Sequence, residues 1–188
     1  MKFQVTTTKT LTLMAVMAAL SNILSTPPFV IPIAIGSLNS SIHLTQLPIL
    51  ISGIIAGPWI GLITGAIGGL YMSFSVEIPF IAGGLAILGL ASGFFANKIG
   101  LRPIFSAILA WGIQAPYVLV TDYVWFIFSR GMPSPVALTT VSIILLALTV
   151  EALIASGLTA IIIPYLINLK TRGFDSQKWK KGSIIQPF

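Results

Sequence analysis

Residues 40–74, SSIHLTQLPILISGIIAGPWIGLITGAIGGLYMSF, are apolar nearly throughout, yet a Gly57-Pro58 pair divides them and His43 stands close to their start. The stretch is too long for one ordinary membrane span of about 20 residues and close to the length of two. Proline is well tolerated in the first turn of a helix, where its missing N–H would have no partner anyway. Gly57 before it supplies a permissive turn. The dipeptide therefore predicts a tight reversal between two antiparallel helices, over residues 43–56 and 58–74.

The rest of the chain has the same character. Hydrophobic residues make up 56% of its 188 positions and charged residues only 7%, with a mean hydropathy of +1.01. A soluble domain carries roughly 25% charged residues, so most of this surface does not face water. Lipid offers the backbone no hydrogen bonds, which leaves helices or a closed barrel. Barrel strands alternate over roughly ten residues, whereas these runs are continuously apolar. The reading is an all-α integral membrane protein, multi-pass in the cell membrane.

Hydropathy and breakers give a compact bundle of six transmembrane helices, over residues 8–24, 43–56, 58–74, 78–96, 104–128 and 136–168. Pro27, Pro28 and Pro32 exclude a regular helix from the long first loop. Lys2 and Lys9 ahead of an apolar run resemble a signal-peptide layout. The sequence ALSNILSTPPF has no clean small-x-small cleavage site, so this segment is expected to stay as the first span. Residues 1–170 form the membrane domain and residues 171–188 a basic tail.

With the N-terminus inside, the cytoplasmic segments hold Lys2, Lys9, Lys98, Arg102, Lys170, Arg172, Lys178, Lys180 and Lys181, and the outer loops hold only Arg130. That asymmetry is the positive-inside pattern, and it places both termini in the cytoplasm. The net charge of +6 then reads as contact with an anionic lipid leaflet and not with nucleic acid. The absence of cysteine excludes disulfides, thiolate metal sites and cysteine nucleophiles.

Small residues recur at helical spacing. Gly61-xxx-Gly65, Gly68 and Gly69 fall in the third span, and Gly83, Gly84, Gly89 and Gly93 in the fourth. In lipid, such residues let helix backbones approach closely. The first span carries Ala15-xxx-Ala19 with Ala18 beside them, and four-residue spacing puts Ala15 and Ala19 on one face.

At this point the chain resembles a family, the substrate-binding S-components of energy-coupling factor (ECF) transporters. The features that carry the resemblance are the length and six spans, the Ala15-xxx-Ala19 face, the LPILISGIIAGPWIGLITGAIGG core around Gly57-Pro58-x-x-Gly61, and the basic ends. The resemblance implies a small six-helix bundle that binds a vitamin or related micronutrient near its outer face. It also implies association with a transmembrane coupling subunit and two ATPase subunits. The alanine face of the first helix (Ala15, Ala18, Ala19) would contact the coupling subunit, and ATP hydrolysis by the partners would tilt the bundle inward. This chain has no G-x-x-x-x-G-K-[ST] phosphate loop, so it is not itself an ATPase.

The polar residues within the apolar spans nominate a binding site, because an intramembrane ionisable group costs about 2.5–3.5 kcal/mol on insertion scales. In the fifth span Trp111, Gln114, Asp122 and Trp125 fall within an arc of about 80° at about 100° per residue. An apolar pocket with a few convergent polar groups is what a small-molecule site requires. Glu151 lies in the middle of the sixth span, and Glu77 and Arg130 sit in outer loops. His43 marks the outer end of the second span beside Asn39 and Gln46. The expected pocket lies between spans four to six and the first loop, with residues 29–32 as a candidate lid.

Glu77, Asp122 and Glu151 against Arg130 leave the outer half acidic, which favours a cationic or neutral ligand, such as a thiamine-like or pyrimidine-precursor compound. One histidine without a second ligand at i+4 predicts no metal, and nothing calls for a cofactor. An intramembrane enzyme would need a nucleophile–base set or a metal cluster on facing helices, and one histidine, no cysteine and no HExxH pattern argue against it. A standalone carrier using Glu151 and Asp122 as proton relays is the alternative to an S-component. Such carriers often show internal repeats, and no convincing repeat relates the two halves.

Overall fold

The structure, a computed structural model, describes residues 8–35 and 38–173. Helix α1 (Thr8–Leu24) leads through a short 3-10 turn (Pro27–Phe29) into a hairpin of β1 (Ile31–Ile35) and β2 (Leu38–Ile42). Helices α2 (Gln46–Ala56), α3 (Pro58–Gly68), α4 (Leu70–Ser75), α5 (Ile81–Phe94), α6 (Pro103–Phe128) and α7 (Ser134–Gly173) follow. A π-helical turn, Phe95–Ile99, extends α5.

Gly57 alone separates α2 from α3. Its φ of 101° is open to glycine and strained for other residues. Its N–H closes α2 onto Gly53 O at 2.8 Å, and Pro58 opens α3. The reversal expected at this dipeptide is where the chain turns. Helix α3 then packs along α5 at backbone-to-backbone distance. A Cβ on Gly61 would collide with the carbonyl of Gly89, one on Gly89 with the carbonyl of Gly61, and one on Gly65 with the carbonyl of Leu85. Successive turns of α3 thus press on successive turns of α5 with no side chain between them, the arrangement small residues permit in lipid.

Three helical segments among the described residues are long and apolar enough to cross a membrane: Ile81–Ile99, Pro103–Phe128 and Ser134–Leu166. Helix α1 covers the residues expected of the first span, whereas the second and third spans are shorter than the sequence suggests, for identifiable reasons. Residues 31–42 are drawn into an antiparallel hairpin in which Pro32 pairs with Ser41 and Ile31 with Ile42, so α2 begins only at Gln46. The span expected over residues 58–74 breaks at Gly69 into α3 and α4. The hairpin also adds a two-stranded sheet to a chain expected to be wholly helical. Helix α7 runs to Gly173, past the expected end of the membrane domain at residue 170, and residues 174–188 of the expected tail lie outside the described residues.

Polar side chains tie α1 to its neighbours. Ser21 Oγ donates to Thr45 O (3.0 Å) and Gly68 O (3.1 Å). Asn22 brackets the α3–α4 break: its Nδ2 donates to Ile67 O at 3.0 Å, and its Oδ1 accepts from Tyr71 N at 3.0 Å. Ala18 is buried at 2% exposure, whereas Ala15 and Ala19 face outward, so the exposed alanine face of α1 consists of Ala15 and Ala19. At the opposite end of α2, Asn97 Nδ2 donates to Ile54 O at 3.0 Å and Gly93 O at 2.9 Å, with Gly53 O at 3.3 Å. The carbonyl of Ile54 belongs to the last turn of α2, where no further helical donor follows. Asn97→Ala is therefore expected to cost about 1–2 kcal/mol, read as a lower melting temperature of the detergent-solubilised protein.

Candidate functional site

A cavity of about 310 Å³ opens between α5, α6 and α7, with β2, the start of α2 and α4 closing its remaining side. Its walls are apolar: Ile81 and Leu85 from α5, Val118 and Phe126 from α6, Ile144 and Ala147 from α7. Polar groups enter at a few points, from His43, Gln46, Gln114, Asp122, Thr140 and Glu151.

Their depth follows from helix pairing. The short 129–133 connection makes α6 and α7 antiparallel neighbours, and Phe126 packs among Ala137 and Val141. Gln114 lies twelve residues back along α6 from Phe126, and Glu151 lies ten residues on from Val141 along α7. Every residue of an α-helix advances it by the same rise, so these two side chains start from similar depth. Asp122, eight residues on from Gln114, lies about two helical turns nearer the α6–α7 loop. The cavity has a polar floor, a greasy middle and one carboxylate toward its loop end.

The floor is a connected hydrogen-bond system. Glu151 Oε1 accepts from the backbone N–H of Gln46 at 3.3 Å and stands 3.1 Å from His43 Nδ1. Donor counting fixes the proton on that nitrogen. Ser25 Oγ gives its single proton to Ser21 O at 2.9 Å, so in its 2.9 Å contact with Thr45 Oγ1 it accepts. Thr45 Oγ1 then donates to Ser25 and accepts from His43 Nδ1 at 3.0 Å. The His43 Nδ1–H is thus shared between Thr45 and Glu151 Oε1. One carboxylate oxygen is saturated and the other, Oε2, is not.

Glu151 Oε2, both polar atoms of the Gln46 side chain, and Gln114 Oε1 are buried with no hydrogen-bond partner among the described residues. Leaving a buried polar atom unpaired costs about 1–3 kcal/mol. Four such atoms fall on three residues that line one cavity.

The other residues singled out in the sequence fall elsewhere. Trp111 packs against the core of Ile49, Leu50, Leu85 and Leu88, and Trp125 sets its ring edge-on to Phe80 at 5.9 Å, so Phe80 reaches the cavity and Trp125 backs it. Glu77 and Arg130 pair at 2.6 Å on the surface, outside the cavity wall. They join the α4–α5 and α6–α7 loops, and Val76 and Ile78 on either side of Glu77 do line the cavity. Asn39 occupies β2 opposite Ala34, and its side chain lies outside the described residues. Within the first loop, the cavity is lined by Ser41 of β2. Gln46, at the head of an apolar run, is the floor residue that composition alone did not nominate; its amide beside His43 was the available signal. No group of three metal-ligating side chains occurs among the described residues.

A mostly apolar cavity with a polar floor, set within membrane-spanning helices, defines a small-molecule binding subunit of the membrane. The comparisons with known proteins make this specific. The family model for the ECF-type riboflavin transporter S component matches residues 5–172, and the chain belongs to that family. S components are substrate-binding parts of transporters, not enzymes. Among solved structures the fold matches an S-component for biotin from an ECF-type ABC transporter with a TM-score of 0.62, over 82% of this chain and 90% of that one, at 20% identity. At that identity the likeness is one of fold. No curated protein matches the chain.

Proposed function

We propose that this chain captures riboflavin, or a close flavin relative, in the cavity between α5, α6 and α7, and delivers it through an ECF coupling subunit driven by two ATPase subunits. The observation that carries the reading is the cavity itself: apolar walls for a flat ring system, and buried, unpartnered atoms on Gln46, Gln114 and Glu151 for its heteroatoms. The family match supplies the ring system. An uncharged flavin also suits the charges. Glu151 and Asp122 line the cavity while Arg130 is engaged by Glu77, so an anionic flavin phosphate would meet two carboxylates and, among the described residues, no arginine in the lining. Of the cationic and neutral ligands that the acidic balance allows, the neutral class is favoured.

In this reading both termini are cytoplasmic, the cavity opens outward, and the first loop, with residues 29–32, acts as its lid. Ala15 and Ala19 are the docking face for the coupling subunit. The test is mass spectrometry of small molecules released on denaturing the detergent-purified protein. A flavin at close to one per chain supports the assignment, and a different retained vitamin displaces it.

A further inference from the structure

The floor of the cavity carries more information than its polarity. Glu151 Oε1 is held by two donors, His43 Nδ1–H and Gln46 N–H, while Oε2 has none among the described residues. Glu151 lines the cavity, and at 1% exposure its free oxygen is shielded from bulk water. Gln46, also 1% exposed, presents a wholly unpartnered amide to the same floor, and Gln114 adds a second amide with a free oxygen.

The geometry points to Glu151 Oε2 as the acceptor for a ring N–H flanked by carbonyls, with His43 as the positioning residue that decides which carboxylate oxygen faces the ligand. This rests on the flavin reading above and extends it to an orientation. A flavin has one such edge, the imide of its pyrimidinedione ring, which reads acceptor–donor–acceptor. The floor offers the complement, with amide N–H groups of Gln46 and Gln114 able to flank the Glu151 oxygen. Amide oxygen and nitrogen positions are exchangeable by a flip that the hydrogen-bond network decides. The imide edge therefore lies at the floor, the benzenoid ring among Leu85, Val118 and Ala147, and the hydroxylated chain extends toward Asp122 and Thr140.

The variant Glu151→Gln separates this from a merely polar floor. The two donors on Oε1 require an amide oxygen in that place, so the N–H₂ group takes the place of Oε2 and an acceptor becomes a donor. Riboflavin and 3-methylriboflavin, in which the imide proton is replaced by a methyl group, are titrated into native protein and the variant. Against native protein with riboflavin, Glu151→Gln and N3-methylation are each expected to weaken binding about 10- to 100-fold, the range for a hydrogen bond to a charged group. In the Glu151→Gln protein the two flavins should bind within about threefold of each other, because contacting partners are not additive. His43→Ala should weaken riboflavin binding in the native background and add little to Glu151→Gln, which general damage to the fold would not do.

Glu151→Gln protein that binds riboflavin as tightly as native overturns the assignment. So does an N3-methyl penalty of equal size in both proteins, or one that disappears with Asp122→Asn, which would mean that the ring is inverted. Native protein that binds neither flavin overturns the flavin reading, and this orientation with it.

Discussion

Gly89→Val is expected to leave almost no folded protein in the membrane. A Cβ on Gly89 meets the backbone of Gly61, its carbonyl first, and the reciprocal Cβ on Gly61 meets the carbonyl of Gly89 and the Cα of Gly53. A side chain in the way could rotate aside, whereas a helix backbone has to translate. Separating α5 from α3 also opens the contacts that Gly65 makes with Leu85 and Gly93 with Pro58. Overpacking a core usually costs about 1–3 kcal/mol, and an obstacle made of main chain belongs at or above the top of that range. Recovery of monodisperse protein after heating in detergent measures the loss. Gly157→Ala is the control, because a Cβ there enters open space in α7, and it should melt at or slightly above the native temperature.

The second large effect concerns transport and leaves the fold alone. Ala19→Trp is expected to abolish riboflavin uptake while riboflavin binding stays within about twofold of native. Ala19 is exposed on α1, does not line the cavity, and neighbours Ala15 on the same face. Small residues permit close helix approach, and an indole on that face would hold a docking helix away. Losing each 1.4 kcal/mol of docking free energy lowers complex formation about tenfold. Uptake into vesicles carrying the coupling module, set beside flavin titration of the isolated variant, separates the two steps. Loss of binding along with uptake would place Ala19 in the site and not on a docking face.

The sequence made some of this legible and concealed the rest for physical reasons. Gly57-Pro58 announces a reversal because only a few dihedral combinations satisfy that dipeptide at a helix junction. The spans of α5, α6 and α7 are long, continuous and bounded by breakers, so their existence could be read directly. The hairpin could not. Ile31, Ile33 and Ile35 alternate as in a strand, but Pro32 inside that run argues against one, the second arm is largely polar, and the pairing of Ile31 with Ile42 is a tertiary outcome. The break at Gly69 was hidden because glycines in a membrane helix most often serve packing, which Gly61 and Gly65 do.

The site divides in the same way. Gln114, Asp122 and Glu151 stand out because a polar side chain in an apolar span is costly and therefore scarce. Their shared arc on α6, in the case of Gln114 and Asp122, could not tell a cavity from a neighbouring helix. Trp111 and Trp125 share that arc and are taken up by packing on the core and on Phe80. His43 and Glu151 are 108 positions apart, so no local pattern joins them. Their contact comes from β2 running beside α7 and delivering His43 to the middle of that helix.

The central claim is that the cavity between α5, α6 and α7 holds the ligand. Ala147, on its α7 wall and without polar function, is the position at which to block it. Riboflavin is titrated into detergent-purified native protein and into Ala147→Phe, with quenching of flavin fluorescence as the signal and ligand-free melting as the control for folding. The expected result is saturable binding at one flavin per native chain and none by Ala147→Phe protein that melts within a few degrees of native. Undiminished binding by the blocked variant would contradict it.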